Sequence, residues 1–190
     1  MDILREIFLM QQTYATLFSL TNKLQIHGDE YLERLTARQF MAMTAIGHLP
    51  ENETTLNNIA RKLGTSKQSA KQLITIIEKK GYVMIVPSPQ DKRAVNVKIT
   101  DAGKKVLLES AEKGLFFLEE VFKHFTPEEM ESLWNLLKKL YQYDGEEQDG
   151  FEEESRVEIG EGYSETQTRV LKEFETRRQA RQKERTTDEK

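Results

Sequence analysis

The chain of 190 residues contains no cysteine. That excludes disulfides, thiolate metal sites and peroxide sensing through a cysteine thiol. A membrane span is also missing. The apolar start "MDILREIFLMQQTYATLFSL" is broken by Asp2, Arg5, Glu6 and the Gln11–Gln12 pair, and no small-residue cleavage site follows. Neither a signal peptide nor a transmembrane helix is therefore expected, and a cytoplasmic location follows as an expectation. The three histidines, His27, His48 and His124, show no His-x3-His spacing, so no metal is expected, whether or not Glu30 or Glu33 is added to them. There is no glycine-rich phosphate loop, no nucleophile–base constellation and no paired carboxylates, which argues against an enzyme and gives no reason to expect a cofactor. The most informative absence is local. In "SKQSAKQLITIIEKKG", Ser66 to Gly81, the outward helical face carries Lys67, Gln68, Lys71, Gln72 and Thr75 without one carboxylate, although the chain has 32 acids against 28 bases.

Net charge has to be divided along the chain before it means anything. Residues 54–105 hold Arg61, Lys62, Lys67, Lys71, Lys79, Lys80, Lys92, Arg93, Lys98, Lys104 and Lys105 against only Glu78, Asp91 and Asp101. Residues 144–161, "DGEEQDGFEEESRVEIGE", are strongly acidic with little apolar content, the composition of a solvated linker that buries too little surface to order itself. The last stretch turns basic again through Arg169, Lys172, Arg177, Arg178, Arg181, Lys183 and Arg185, and its only apolar anchors are Val170, Leu171 and Phe174.

Hydrophobic periods sort the body into elements. Within the first 26 residues Ile3, Ile7, Met10, Tyr14, Leu17 and Leu24 make one stripe and Leu4, Phe8, Ala15 and Phe18 a second, so this helix is apolar on two sides. Thr36 and Gln39 form a capping box that opens a helix running to about Leu49, before Pro50. Thr55 caps a short helix through Ile59, Ala60 and Leu63 that Gly64 stops. Thr65 or Ser66 caps the next, and Gly81 stops it. In that helix Ala70, Leu73, Ile74 and Ile77 cluster within an arc of roughly 100°, the width of a core-facing stripe. "YVMIV" and "AVNVKI" flank "PSPQDKR" and read as a β-hairpin with a long tip. Thr100 caps a further helix carrying Val106, Leu107, Ala111, Leu115, Leu118, Val121, Phe122 and Phe125. Thr126, Pro127 and Glu129 then supply cap, first-turn proline and box for the last helix of the body.

Helix, tight turn, helix and basic hairpin, in that order, give the acid-free face a purpose. A helix in the major groove has to hydrogen-bond to base edges and phosphates, where a carboxylate mostly meets repulsion. Gln68 and Gln72 suit bidentate pairing with adenine, Lys71 suits guanine, and Lys67 or Ser66 suits phosphate. A hairpin that follows can lay its tip in the neighbouring minor groove, whose negative potential favours a cationic side chain. On composition alone a Lys/Gln face is simply solvated; the adjoining basic hairpin shifts that balance.

Residues 1–143 resemble the multiple-antibiotic-resistance-regulator (MarR) family of winged helix-turn-helix transcription factors. The resemblance rests on "LTARQF", "LNNIARKLGTSKQSAKQLITIIEKKGYV", "DKRAVNVKIT" and "TDAGKK", in the family's order and spacing. It implies a mainly α fold with a small β-hairpin wing: a DNA-binding domain over 36–100, flanked by a helical dimerisation region over 1–35 and 101–143. It further implies a homodimer on double-stranded DNA with a pseudo-palindromic operator, acting as a repressor relieved by a small ligand. The implied DNA contacts are Thr65, Ser66, Lys67, Gln68, Lys71, Gln72 and Thr75 with Asp91, Lys92 and Arg93 at the wing tip. There Asp91 would orient Arg93 and Arg93 would enter the minor groove. Ile85 and Val86 stand where such wings often carry arginine before the proline, which implies a weaker phosphate grip.

The resemblance supplies no motif for an effector. Tyr14, Phe18, His27, Tyr31, Phe40, Met41 and His48 fall near the expected junction of dimer helices and winged domain, and such walls suit a planar aromatic acid or phenol. The acidic linker over 144–161 and the charged, helix-capable tail over 162–190 lie outside the resemblance. For the tail, added phosphate contacts are slightly favoured over an acidic strip folding back on the basic segment. The alternative to a regulator is a winged-helix adaptor that recruits a protein through this tail.

Overall fold

The computed structural model describes residues 2–88, 95–153, 155 and 163–188, and in the last stretch the side chains of residues 168–181. The elements follow as α1 (Ile3–Tyr31), α2 (Ala37–His48), α3 (Leu56–Lys62), α4 (Lys67–Lys79), β1 (Val83–Pro87), β2 (Val95–Ile99), α5 (Asp101–Val121), α6 (Pro127–Tyr141) and α7 (Tyr163–Asp188), with single 3-10 turns at Glu51–Glu53 and Gln142–Asp144. The fold is mainly helical with one antiparallel hairpin, as the sequence leads one to expect.

Local chemistry sets most boundaries. Thr36 accepts the Gln39 backbone N–H while the Gln39 side chain accepts that of Thr36, and Thr126 with Glu129 repeats the box before Pro127. Thr55, Ser66 and Thr100 each accept a backbone N–H three residues on. Such caps contribute on the order of 1 kcal/mol apiece. Gly64 turns the chain between α3 and α4 at φ 58°, a left-handed conformation that costs a residue with a Cβ more. One element outruns its expectation: α1 continues past residue 26 to Tyr31, and the Leu32 N–H closes on the Gly28 carbonyl at 3.1 Å.

The core sits between α2, α3, α4, the hairpin and the start of α5. Met43, Ile46, Ile59, Ile74, Ile77 and Val97 are all buried there, each stabilising the fold by about 1.5–3 kcal/mol relative to exposure. The hairpin register pairs Val83 with Ile99 and Ile85 with Val97, and Thr55 bridges Asn96, so the wing is stitched to the entry of α3. At the other end of the hairpin the Thr100 N–H donates to the Tyr82 carbonyl at 3.0 Å, and a Cβ on Gly103 would stand 1.9 Å from that carbonyl oxygen. Only glycine allows α5 to start this close to the strand.

α1 and α6 behave differently from this core. Leu4, Met10, Tyr14 and Phe18 of α1 and Trp134, Leu136 and Leu140 of α6 are all exposed in the single chain. The segment after α6 departs from the solvated linker expected of its composition. Asp149 to Glu152 fold back onto the body, and α7 packs along α5, with Val170 buried. Arg169 pairs with Glu112, Arg181 with Glu119 and Glu120, and the Arg178 guanidinium donates to the carbonyls of Phe122 and Phe125. Arg169, Arg178 and Arg181 of α7 thus meet acids of α5 and carbonyls just past its end, not solvent alone.

Candidate nucleic-acid interface

α4 is held by its apolar stripe and thereby aimed. Ala70, Ile74 and Ile77 are buried against α2 and β1, with Leu73 half-buried, which turns Lys67, Gln68, Lys71 and Gln72 outward into solvent. No carboxylate among the described residues pairs with Lys67 or Lys71. The remaining residues of the expected set do other work. Ser66 is the N-cap: its Oγ accepts the Ser69 N–H at 3.1 Å and lies 3.0 Å from the Ser69 hydroxyl. Thr65 is half-buried in the turn, and the Thr75 hydroxyl donates back to the Lys71 carbonyl at 2.9 Å, inside the helix. Ile76, exposed at the edge of the same face, was not expected there. It gives the face an apolar element suited to a thymine methyl.

Several bases of the positive segment are already committed. Lys80 donates to the Arg34 carbonyl and the Gln39 side chain, Lys98 pairs with Glu51, and Lys62 is buried against Asp149. Among the described residues, Lys67 and Lys71 of α4 enter no such pair. Ile85 and Val86 stand in β1 before Pro87 as expected, with Ile85 exposed. Asp91, Lys92 and Arg93 lie outside the described residues.

Beneath the turn into α4 lies a cavity of about 760 Å³, walled mainly by apolar groups. Thr21, Leu24 and Gly28 of α1, Phe40 and Met41 of α2, and Leu115 and Phe117 of α5 line it. Leu63, Gly64, Thr65 and Leu73 join them from the helix-turn-helix side, and Arg38 from the start of α2. Of the seven side chains expected around an effector, Phe40 and Met41 line this space. Tyr31 packs on Phe117, one of its walls, at a centroid distance of 5.3 Å. The other four are elsewhere. Tyr14 and Phe18 project from α1 two turns and one turn before Thr21, His27 sits at the surface 3.0 Å from Glu30, and His48 meets Phe151 of the tail edge-on. Arg38 and the small residues Gly28 and Gly114 escaped the sequence reading because nothing local marks a cavity wall.

Residues 35–94, which run from the entry of α2 to the wing and hold most of the buried core, match a protein-family model described as MarR family. That stretch of the winged-helix body thus carries a MarR-family match. The HTH-type transcriptional regulator YfiV of Bacillus subtilis is 33% identical over 85 residues, 45% of this chain and 53% of that protein. The transcriptional activatory protein BadR of Rhodopseudomonas palustris is 29% identical over 101 residues, 52% of this chain and 58% of that one. The chain thus spans little more than half the length of these two relatives. A crystal structure of a mutant MarR from E. coli complexed with operator DNA superimposes with a TM-score of 0.60 at 26% identity, covering 74% of this chain and 99% of that one. A MarR/EmrR family regulator from Acinetobacter sp. ADP1 gives 0.63 at 19% identity, over 70% and 95%, and shares the fold. Among the described residues no helix is long and apolar enough to cross a membrane.

Proposed function

We propose that this MarR-family chain is a homodimeric, sequence-specific DNA-binding transcriptional regulator. α4 enters the major groove of each half-site and the hairpin tip reaches the adjoining minor groove. The observation that carries this reading is the acid-free outward face of α4, where Lys67, Gln68, Lys71 and Gln72 project opposite a buried apolar stripe. The operator complex of the E. coli MarR, with which the fold superimposes along that chain's whole length, supports it.

Residues 1–35 and 101–143 form the dimerisation region in this reading. Apolar side chains left in solvent on α1 and α6 are a patch that a second copy would cover, and a two-fold pairing buries the same surface on both chains. A dimer seated on its operator occludes the site, so repression is the simplest regulatory outcome. The cavity supports relief by a small ligand, because one set of walls belongs to α1 and α5 and the other to the turn and inner face of α4. A planar, apolar ligand with an acidic group suits those walls, with Arg38 at hand for the charge.

Selection of bound duplexes from a random pool tests the DNA reading. The parent should return a two-fold-related motif, and Gln68→Ala or Lys71→Ala should relax one position in each half. An identical motif from all three proteins would show that α4 is not the reader.

A further inference from the structure

The contact between the tail and α3 is built around a buried ammonium group. Lys62 has a side chain only 1% exposed, and its Nζ donates to Asp149 Oδ1 at 3.0 Å and to the Gly150 carbonyl at 2.7 Å. The same Nζ lies 5.4 Å from the centre of the Phe151 ring, which itself meets the His48 ring edge-on at 5.4 Å. Asp149 Oδ2 accepts from Arg61 Nε at 3.1 Å, and Glu152 lies 3.7 Å from Lys138 of α6. Burial opposes ionisation of Asp149, but hydrogen bonds from Lys62 and Arg61 and the charges behind them outweigh it and hold the carboxyl below its usual range. A charge as buried as Lys62 is tolerated only with an anion against it. In the free chain that anion comes from the tail.

We propose that Arg61 and Lys62 are a phosphate site on α3 that Asp149 and Phe151 keep closed in the free protein and that DNA opens by replacing the carboxylate with a backbone phosphate. The inference rests on the DNA-binding reading and adds a regulatory device to it. Both bases belong to the positive segment, and Lys62 stands four residues before Ser66, the cap of α4. A phosphate oxygen accepts from a guanidinium and an ammonium just as a carboxylate does. The exchange also removes a repulsion, since Glu146, Glu147, Asp149, Glu152 and Glu153 lie in the segment that leaves. Meanwhile α7, anchored on α5 through Arg169, Arg178 and Arg181, keeps the displaced strip tethered at high local concentration, so it closes again when DNA departs.

The test uses the full chain and a duplex of random sequence. Asp149→Asn with Phe151→Ala should bind about 3- to 10-fold tighter at low salt, and log affinity should fall more steeply with log salt by about one to two, because two bases no longer have to exchange partners. In the wild type, with no substitution to disturb folding, the His48 ring signals in a proton NMR titration should move on adding duplex. They should move toward their positions in the variant, as the Phe151 ring leaves. Equal affinity and slope in the two proteins, or His48 signals that stay fixed while the wild type binds, overturn the inference and leave the DNA-binding reading intact. Failure of both proteins to bind any duplex overturns the two together.

Discussion

The winged-helix lobe and the long helices around it solve the same packing problem in opposite ways. In the lobe, α2, α3, α4 and the hairpin enclose a core of Met43, Ile46, Ile59, Ile74, Ile77 and Val97, and the face left outside on α4 is polar and cationic. On α1 and α6 the outward face is apolar, with Phe18 67% and Leu136 66% exposed in the single chain. A closed core with a cationic outer face suits a polyanion, while an unfinished core suits a second copy of the same chain. The proposed function gives each half of the molecule a different kind of partner on that basis.

Core truncation should give the largest effect that sharpens this contrast. Ile74→Ala should lower stability by about 2–5 kcal/mol, read in denaturant unfolding, through lost burial and the cavity left behind. Phe18→Glu with Leu136→Glu should leave the lobe folded, by circular dichroism, and raise the dimer dissociation constant by about 10-fold or more. If the two substitutions unfold the chain instead, the apolar faces of α1 and α6 belong to an internal core. Smaller again is the loss from the reading face: Gln68→Ala or Lys71→Ala should each cost about 1–3 kcal/mol of specific binding. Glu78→Ala should cost no affinity for DNA.

The smallest effect concerns pH at the junction of tail and lobe. Burial, and then the neighbouring charge of Lys62, push the His48 pKa below its ordinary value, against a weaker pull upward from Glu153. Neutral imidazole is thus the form the docked state prefers, and protons bind better once the tail has left or the chain has unfolded. Docking of residues 149–151 should therefore weaken as pH falls below about 6.5, the ordinary histidine value. Asp149, with its carboxyl held low, keeps its contribution until the pH drops beneath the usual aspartate range. Limited proteolysis between Asp144 and Glu153 should accelerate from pH 7.5 to pH 6, and this pH dependence should be lost in His48→Gln.

The comparison also marks what the sequence made legible. Both capping boxes, the Gly64 and Gly81 stops, the Thr100 cap and the stripe of Ala70, Leu73, Ile74 and Ile77 are local patterns, and the structure repeats them. The outward placement of Lys67, Gln68, Lys71 and Gln72 follows from that stripe by helical geometry. The tail was illegible for the opposite reason. Lys62 and Asp149 are 87 residues apart, and composition alone described residues 144–161 as solvent-loving. What composition averaged away was the single Phe151 inside the acidic run, next to a base that the α3 stripe turns inward. On the same averaging, phosphate contacts are slightly favoured for the bases of the last helix. In the structure Arg169 and Arg181 instead meet Glu112, Glu119 and Glu120 of α5, partners that the charge on α5 already offered. His48 falls near the expected junction of dimer helices and winged domain, yet its ring meets Phe151 and does not line the cavity.

The central claim is that two copies joined through α1, α5 and α6 present two α4 helices to one face of a duplex. Sedimentation of the protein alone and with a selected operator tests it most directly. The protein alone should run as a dimer at micromolar concentration, and the complex should hold two chains per duplex with half-sites about 10 base pairs apart. Inserting about 5 base pairs between the half-sites turns one of them to the far side of the helix and should abolish tight binding. A monomer that binds its site as a single chain, indifferent to that insertion, would contradict the account.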